Sequence, residues 1–244
     1  LAACWRNAHT VVRDYEGQLR RLGEQLSLSS RIHAAPQQLL QALDGVREQL
    51  PDIWSQRRGH DTDEPVRVML SLMVARLRAT ARQLEDWDRG HTDEVPGAYH
   101  GVEELEADLG LVQHALRGAG AERTLRMVLE PLLLRIRLFG FHGLQLDVRD
   151  ESDVHREAVD ELARAVGIEP PGREALVREL AGRRPLYSPW VPLGEHTERT
   201  LRVFQVMHTL QRRLGQAAAT TYVISMAHSA EDVLRVLLLA READ

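Results

Sequence analysis

The sequence predicts a predominantly α-helical fold with parallel β-strands, in which a helical region precedes two units of a partial (β/α)8 barrel. Apolar residues recur at helical spacing along most of the 244 residues. A short segment of alternating polarity, residues 144–149, runs directly into a further helical pattern, which is typical of the first half of a βα unit. Because two parallel strands make no stable sheet alone, we expect the chain to be a segment of a larger domain.

Helical patterns fill the first part of the chain, residues 1–137, which we expect to form a helical region. Proline lacks a backbone N–H and is accepted in the first turn of a helix. Pro36 and Pro65 therefore each predict a helix start, and Pro131 predicts a kink inside a helix. The apolar stripes predict helices over residues 11–26, 39–50, 65–84, 103–116 and 122–138, with polar loops over 57–64 and 88–100.

The second part, residues 138–244, is expected to contain two βα units of an incomplete barrel within one larger domain. The first predicted strand, 144–149, leads into a helix that Ser152 is expected to cap and that Gly167 ends. The same patterns predict helices over residues 174–180 and 195–214, a second strand over 221–227, and a last helix with a capping box of Ser229 and Asp232.

Composition excludes several classes of function. The chain has 31 basic and 36 acidic residues and a net charge of −5, which argues against a general nucleic-acid binder. All the basic residues are arginine, so a Schiff-base lysine and the lysine of a P-loop are excluded. The lone cysteine, Cys4, favours a reducing cytoplasm, and no apolar run approaches the roughly 20 residues that a membrane span needs. The chain begins at Leu1 within a helical pattern, which we interpret as a segment of a longer protein.

Arg149 is the candidate site residue, because it lies at the carboxyl end of the first predicted strand, where the sites of βα folds are found. Alternation assigns the even-numbered residues 144–148 to the helix side and the odd-numbered residues 145–149 to the barrel interior. An arginine there must be paired, because an isolated buried charge costs several kcal/mol. Its partner is either structural, Asp147 or Glu151, or the phosphate or carboxylate of a ligand.

Two further polar residues have plausible chemical roles. His155 follows Ser152 in the first turns of the predicted helix, near Glu151, and is either a hydrogen-bonded structural residue or an acid–base group. Ser225 lies in a predicted strand without the Gly-x-Ser-x-Gly elbow that exposes a nucleophile, so packing in the core is predicted. No histidines have the spacing of a metal site.

Two motifs resemble those of phosphoenolpyruvate carboxylases. Residues 146–155 read Leu-Asp-Val-Arg-Asp-Glu-Ser-x-x-His, similar to the family's Leu-Asp-Ile-Arg-Gln-Glu-Ser motif with its following histidine. Residues 222–227, Tyr-Val-Ile-Ser-Met-Ala, followed by Asp-Val-Leu at 232–234, resemble a second family segment in the same order and at a similar separation. The departures are Asp150, Leu138 and Glu231, where the family usually has Gln, Thr and Ser.

The resemblance implies a (β/α)8 TIM-like barrel wrapped in helices. It also implies carboxylation of phosphoenolpyruvate by bicarbonate, giving oxaloacetate and phosphate in the cytoplasm. It implies that Arg149 lines the active site and that Mg²⁺ or Mn²⁺ is bound by residues outside this segment. A homo-oligomer, a tetramer, is likewise implied, with no nucleic-acid or membrane partner.

Some motifs of the family do not occur in this sequence. The catalytic histidine motif, Thr-Ala-His-Pro-Thr, does not occur. Phe141-His142-Gly143 matches the start of the family's glycine-rich loop, but Leu144 follows, so we interpret the match as coincidence. The segment alone is therefore expected to be inactive. The alternative is a non-catalytic helical scaffold or a degenerate paralogue, in which an acid at Asp150 pairs with Arg149 and weakens anion binding.

Overall fold

The computed structural model describes residues 1–56 and 63–243. Most of the polar loop predicted over residues 57–64 lies outside these ranges. The fold is mainly helical, as predicted, with two short parallel strands. In chain order the helices are α1 (Ala2–Gln25), α2 (Gln37–Gln49), α3 (Pro51–Ser55), α4 (Pro65–Asp88), α5 (Val102–Gly118), α6 (Glu122–Thr124), α7 (Glu130–Phe139), α8 (Ser152–Ala165), α9 (Arg173–Ala181), α10 (Glu195–Leu214) and α11 (Ala230–Glu242), and the strands are β1 (Asp147–Glu151) and β2 (Thr221–Ser225).

The described residues divide into two compact units. The helical unit comprises Leu1–Leu144 with Arg213–Gly215, and the sheet unit comprises Gln145–Arg212 with residues 216–243. The predicted division at residue 137 concerns the organisation of a larger domain and stays a prediction.

The helical unit is built around α1 and α4, which pack along each other. Both helices have regular apolar stripes, and their buried faces include Tyr15, Leu19, Met69 and Leu77. Each long helix thus buries one face in a common core, as the helical spacing in the sequence predicts.

The turn that follows α7 is fastened to α1. The Asn7 side chain donates a hydrogen bond to the His142 carbonyl (2.7 Å), and the Tyr15 hydroxyl donates to the Gly140 carbonyl (2.9 Å). Gly143 has a φ of 71°, and a Cβ at this position would lie 2.6 Å from the Asn7 side chain. A side chain would therefore both strain the backbone and displace α1. Burial raises the pKa of Tyr15 to about 12, with Asp14 adding to the effect.

A π-helical segment lies just before Pro131, the residue at which a helix kink was predicted. The chain forms α6, then a π-helical segment over Leu125–Leu129, and then α7, with Pro131 in the first turn. Proline has no N–H to donate to the preceding turn and its ring crowds the carbonyl there. The wider π turn accommodates both effects, so the helical path continues instead of ending.

A buried cation in the helical unit is neutralised locally. The Arg76 side chain, 12% exposed, contacts Glu104 at 2.5 Å and Asp108 at 3.2 Å. Its guanidinium also lies 3.8 Å from the centre of the Tyr99 ring, whose hydroxyl donates to Asp108 at 2.8 Å. Burial raises the pKa of Asp108 against the opposing effect of Arg76. This network joins α4, α5 and the loop between them.

In the sheet unit, β1 and β2 pair in parallel, with Asp147 opposite Thr221 and Glu151 opposite Ser225. Parallel pairing of the two predicted strands is confirmed, although β1 begins at Asp147 rather than at residue 144. The predicted burial of Leu144 and Leu146 on the helix side is wrong, because Leu144 is 63% and Leu146 36% exposed. The Leu144 N–H bonds back to the His142 carbonyl at 2.8 Å, which keeps the chain in a tight turn before the strand begins.

Candidate functional site

One face of the sheet packs against the helices of its unit. Tyr222 and Ile224 contact a core formed by apolar residues of the surrounding helices. Their partners across the ladder, Val148 and Asp150, share this face and are half-buried. Side chains alternate between the two faces of a strand, so the remaining residues of β1 point the other way.

We call the opposite side of the sheet the open face. It consists of Asp147, Arg149 and Glu151 on β1 and Thr221, Val223 and Ser225 on β2. All of these residues are exposed except Val223, which is half-buried. Because parallel sheets are generally covered on both sides, the open face is the unusual surface among the residues described for this unit.

Arg149 lies in the middle of the open face, beside Val223 on the neighbouring strand. Its predicted place at the carboxyl end of the strand is wrong, because β1 continues to Glu151. Among the residues that the structure describes, no carboxylate oxygen lies within 4.0 Å of its guanidinium, so the predicted structural pair with Asp147 or Glu151 is not formed. The expected desolvation is also not found within this chain, because Arg149 is exposed. Its planar set of N–H donors is available for a carboxylate or phosphate.

Asp150 points away from Arg149. It shares the helix-facing side with Tyr222 and Ile224, and its Oδ1 accepts the Glu151 backbone N–H at 2.9 Å. Its charge acts on this side of the sheet, where it raises the pKa of Tyr222 in addition to the larger effect of burial. The expectation that Asp150 pairs with Arg149 is therefore wrong, because successive residues of a strand face opposite sides.

His155 is fully buried beneath the sheet and contacts Tyr222. Its Nε2 lies 2.7 Å from the Tyr222 hydroxyl, and the Tyr222 ring stacks on Phe204 at 4.8 Å. Burial lowers the pKa of His155, while Asp150 and Asp232 oppose the shift. The imidazole is thus neutral, fully buried and hydrogen-bonded to the Tyr222 hydroxyl. This environment matches the interpretation of His155 as a hydrogen-bonded structural residue.

Two serines join the carboxyl ends of the strands. Ser152 is the first residue of α8, and its hydroxyl donates to the Met226 carbonyl at 2.7 Å instead of capping its own helix. The prediction that Ser152 is the helix cap is therefore wrong. Ser225 is exposed, and its hydroxyl donates to the Asp150 carbonyl at 3.2 Å, so its predicted packing in the core is also wrong. Both hydroxyls lie at the strand end, where backbone carbonyls need donors.

The start of α11 is organised as predicted, by a capping box of Ser229 and Asp232. Asp232 Oδ2 accepts the backbone N–H groups of His228 and Ser229, each at 3.0 Å. These hydrogen bonds lower its pKa, the one from His228 most, and Asp232 also pairs with Arg235 at 2.9 Å. Glu231, one of the departures from the family motif, lies in the first turn of this helix.

The sequence did not reveal the contacts between Ser152 and Met226 or between His155 and Tyr222. Each joins residues separated by more than 60 positions along the chain. The one available signal was alternation in the second strand, which places Tyr222 on the same side as Ile224. It identifies the face but not the partner.

No three histidine, cysteine, aspartate or glutamate side chains in the described part of the chain are grouped so that they could hold a metal ion. Across the described helices, none combines the length and the apolar character that a membrane crossing requires.

Comparison with known proteins identifies a family. A family model described as "Phosphoenolpyruvate carboxylase" matches residues 2–244. The chain is similar to the phosphoenolpyruvate carboxylase of Parasynechococcus marenigrum, with 34% identity over 98% of the chain and 26% of the relative. It is also similar to that of Ralstonia nicotianae, with 34% identity over 99% of the chain and 25% of the relative.

A third relative is the phosphoenolpyruvate carboxylase of Mycolicibacterium paratuberculosis, with 34% identity over 97% of the chain and 25% of the relative. The chain thus spans about a quarter of the length of the curated relatives that it matches. The match includes both motifs and the long helical part that precedes them.

Proposed function

Because the chain belongs to the phosphoenolpyruvate carboxylase family, we propose that the full-length protein containing it carboxylates phosphoenolpyruvate with bicarbonate, giving oxaloacetate and phosphate. The observation that carries the proposal is Arg149, in the family's motif and on the open face of the sheet, without an ion pair in the described structure. In a cell, such a reaction would replenish oxaloacetate for the tricarboxylic acid cycle.

Arg149 is suited to this reaction by charge. Phosphoenolpyruvate, bicarbonate, oxaloacetate and phosphate are all anions, and so are the carboxyphosphate and enolate that the resemblance implies. A guanidinium binds carboxylate or phosphate through two parallel hydrogen bonds and stays protonated throughout. We assign Arg149 the role of holding a substrate anion and stabilising charge that grows in the transition state.

The open face is the surface on which Arg149 would hold the substrate anion. We propose that strands outside this segment complete a (β/α)8 barrel, whose interior the open face lines. In support, parallel sheets are covered on both faces, and two strands are fewer than a stable sheet needs. Inside such a barrel, Arg149 would be shielded from water, which strengthens its attraction for an anion.

The divalent ion belongs to the same proposal. Mg²⁺ or Mn²⁺ would neutralise developing negative charge, and we place its ligands outside this segment. The described residues offer no group of three ligands for it, so no step of the chemistry assigned to this chain passes through the metal. Two further expectations from the resemblance, a cytoplasmic location and a homotetramer, remain proposals.

The degenerate-paralogue alternative depended chiefly on Asp150. An acid there was expected to occupy Arg149, but it lies on the helix-facing side of the sheet. The strongest sequence argument for a non-catalytic protein is thereby weakened, although Leu138 and Glu231 still differ from the family motif.

An assay for oxaloacetate tests the proposal. The full-length protein, supplied with phosphoenolpyruvate, bicarbonate and Mg²⁺, should form oxaloacetate, and added malate dehydrogenase should reduce this oxaloacetate to malate while oxidising added NADH. Omission of bicarbonate or addition of a metal chelator should abolish the signal. The isolated 244-residue chain is expected to be inactive in the same assay. A purified full-length protein that forms no oxaloacetate under any of these conditions would favour the scaffold.

A further inference from the structure

The loop between β2 and α11, residues 226–229, contains an unusual backbone conformation. Met226 has a φ of 55°, and it is the one non-glycine residue in the described chain with a positive φ. A residue with a Cβ is disfavoured in this left-handed region, where its side chain crowds the backbone. Such conformations persist when their surroundings hold them, and they cluster at functional sites.

The loop is held at both ends. At its start, the buried Ser152 donates its hydroxyl hydrogen to the Met226 carbonyl at 2.7 Å. At its end, Asp232 accepts the N–H groups of His228 and Ser229. The hydrogen bond from Ser152 connects the first residue after β1 to the first residue after β2. It therefore adds a side-chain hydrogen bond beyond the backbone pairing of Glu151 with Ser225, where the two strands end.

Packing of the Met226 side chain gives no reason for the strained backbone. The side chain is 69% exposed, so it buries little apolar surface. Glycine would adopt the same backbone conformation without strain. The fold alone thus gains little from a methionine here, whereas the loop borders the same end of the sheet as Arg149, which lies two residues before the end of β1.

We propose that Ser152 is a positioning residue for the site of Arg149. Through the Met226 carbonyl it holds the loop over residues 226–229 in one conformation, so that the carboxyl ends of β1 and β2 and the exposed Met226 side chain form a fixed rim beside the bound anion. This inference rests on the proposed function. Ser152 itself does not contact the substrate.

The test compares Ser152→Ala with Ser152→Thr in the full-length protein. Alanine removes the donor, and threonine keeps a hydroxyl on the same carbon. Ser152→Ala should lower kcat/KM by up to about tenfold, mainly through a higher KM for phosphoenolpyruvate. Tenfold corresponds to about 1.4 kcal/mol, the upper end of what one hydrogen bond contributes. Amide hydrogen exchange in residues 226–229 should accelerate by a similar factor, while exchange in the middle of α8 stays unchanged. Ser152→Thr should restore both quantities to within about threefold of the wild type.

Met226→Gly gives an independent test, because glycine relieves the strain and also frees the loop. The melting temperature should stay the same or rise, while kcat/KM falls and exchange over residues 226–229 accelerates. If this loop had only a structural role, kcat/KM would instead change in the same direction as the melting temperature. An unchanged kcat/KM in both Ser152→Ala and Met226→Gly would overturn the inference.

Arg149→Ala, measured alongside, separates the two levels of the argument. If Arg149→Ala loses activity while Ser152→Ala and Met226→Gly do not, the proposed function stands and this inference fails. If the wild-type protein is active and Arg149→Ala retains full activity, the assigned role of Arg149 and this inference are both wrong. If the wild-type protein forms no oxaloacetate, the proposed function fails and this inference fails with it.

Discussion

The helical unit and the sheet unit differ in the surroundings of one arginine each, Arg76 and Arg149. In the helical unit, the buried Arg76 is surrounded by Glu104, Asp108 and the Tyr99 ring, so its charge is balanced within the unit. In the sheet unit, Arg149 lies on the open face, with no carboxylate close to its guanidinium in the described structure. The difference separates an arginine that holds helices together from one that is available to bind an anion.

The largest effect on stability is expected in the helical unit. Arg76→Ala removes one partner from a buried ion network and leaves Asp108 without its cation, so the free energy of unfolding should fall by about 3–5 kcal/mol. Urea unfolding, followed by circular dichroism, would measure the loss. Arg82→Ala is the matched control, because Arg82 is exposed on the same helix and should cost no more than about 0.5 kcal/mol. Equal losses for the two variants would contradict the structural role of Arg76.

A smaller loss is expected from the capping box of the sheet unit. Asp232→Ala removes the acceptor for two backbone N–H groups at the start of α11 and should cost about 1–2 kcal/mol. Because these hydrogen bonds lower the pKa of Asp232, its contribution is present above the unfolded-state value of about 3.9 and is lost as the pH falls through the lower folded-state pKa. Asp153→Ala, at an exposed position in the first turn of α8, is the control. A cost no greater than the control's would show that the capping box contributes little.

Both units should lose stability in mild acid, for the same reason. Burial lowers the pKa of His142 in the helical unit and of His155 in the sheet unit. The unfolded chain therefore takes up protons first, and stability falls as the pH decreases from the unfolded value of about 6.5 towards the lower folded values. Thermal melting at pH 7.5, 6.5 and 5.5 would show the trend. His155→Gln should reduce the dependence without abolishing it, because His142 remains; an unchanged dependence would exclude His155 as a contributor.

The smallest effect is expected from Asp150→Gln, which introduces the residue usual in the family. Asp150 lies on the helix-facing side, so kcat/KM of the full-length protein should change by less than about threefold, or about 0.6 kcal/mol. A large gain in affinity for phosphoenolpyruvate would instead show that Asp150 competes for Arg149. That result would contradict the assignment of Asp150 and Arg149 to opposite faces of the sheet.

Much of the architecture could be predicted because local patterns determine it. Helical spacing identified the long helices α1, α4 and α10, and Pro131 identified the disturbed helix, since a missing N–H is a property of the residue itself. Alternation identified the first strand and placed Arg149 on the face opposite Val148. The capping box at Ser229 and Asp232 was readable because its partners are three residues apart.

Contacts over long sequence distances could not be predicted. Ser152 has the residue type and the position that are typical of a helix cap, yet its hydroxyl donates a hydrogen bond to the carbonyl of Met226, 74 residues away. Ser225 was assigned to the core because its strand lacks the Gly-x-Ser-x-Gly elbow that exposes a nucleophile, but it lies at the exposed end of β2. Leu144 and Leu146 follow the alternation of a strand, but the tight turn at His142 holds Leu144 outside it, and Leu146 lies just before the first residue of β1. In each case tertiary context overrides the local pattern.

The central claim is that Arg149, which forms no ion pair in the described part of the chain, binds a substrate anion, and one pair of variants tests it most directly. In the full-length protein, Arg149→Ala should remove a contact worth about 2–4 kcal/mol in the transition state, which corresponds to a loss of about 30-fold to 1000-fold in kcat/KM, with little change in melting temperature. Arg149→Lys keeps the charge without the paired donors and should recover only part of the activity. Kinetics and thermal melting, measured on the same preparation, separate a loss of activity from a loss of stability. A lower melting temperature with an intact rate for Arg149→Ala would contradict the claim.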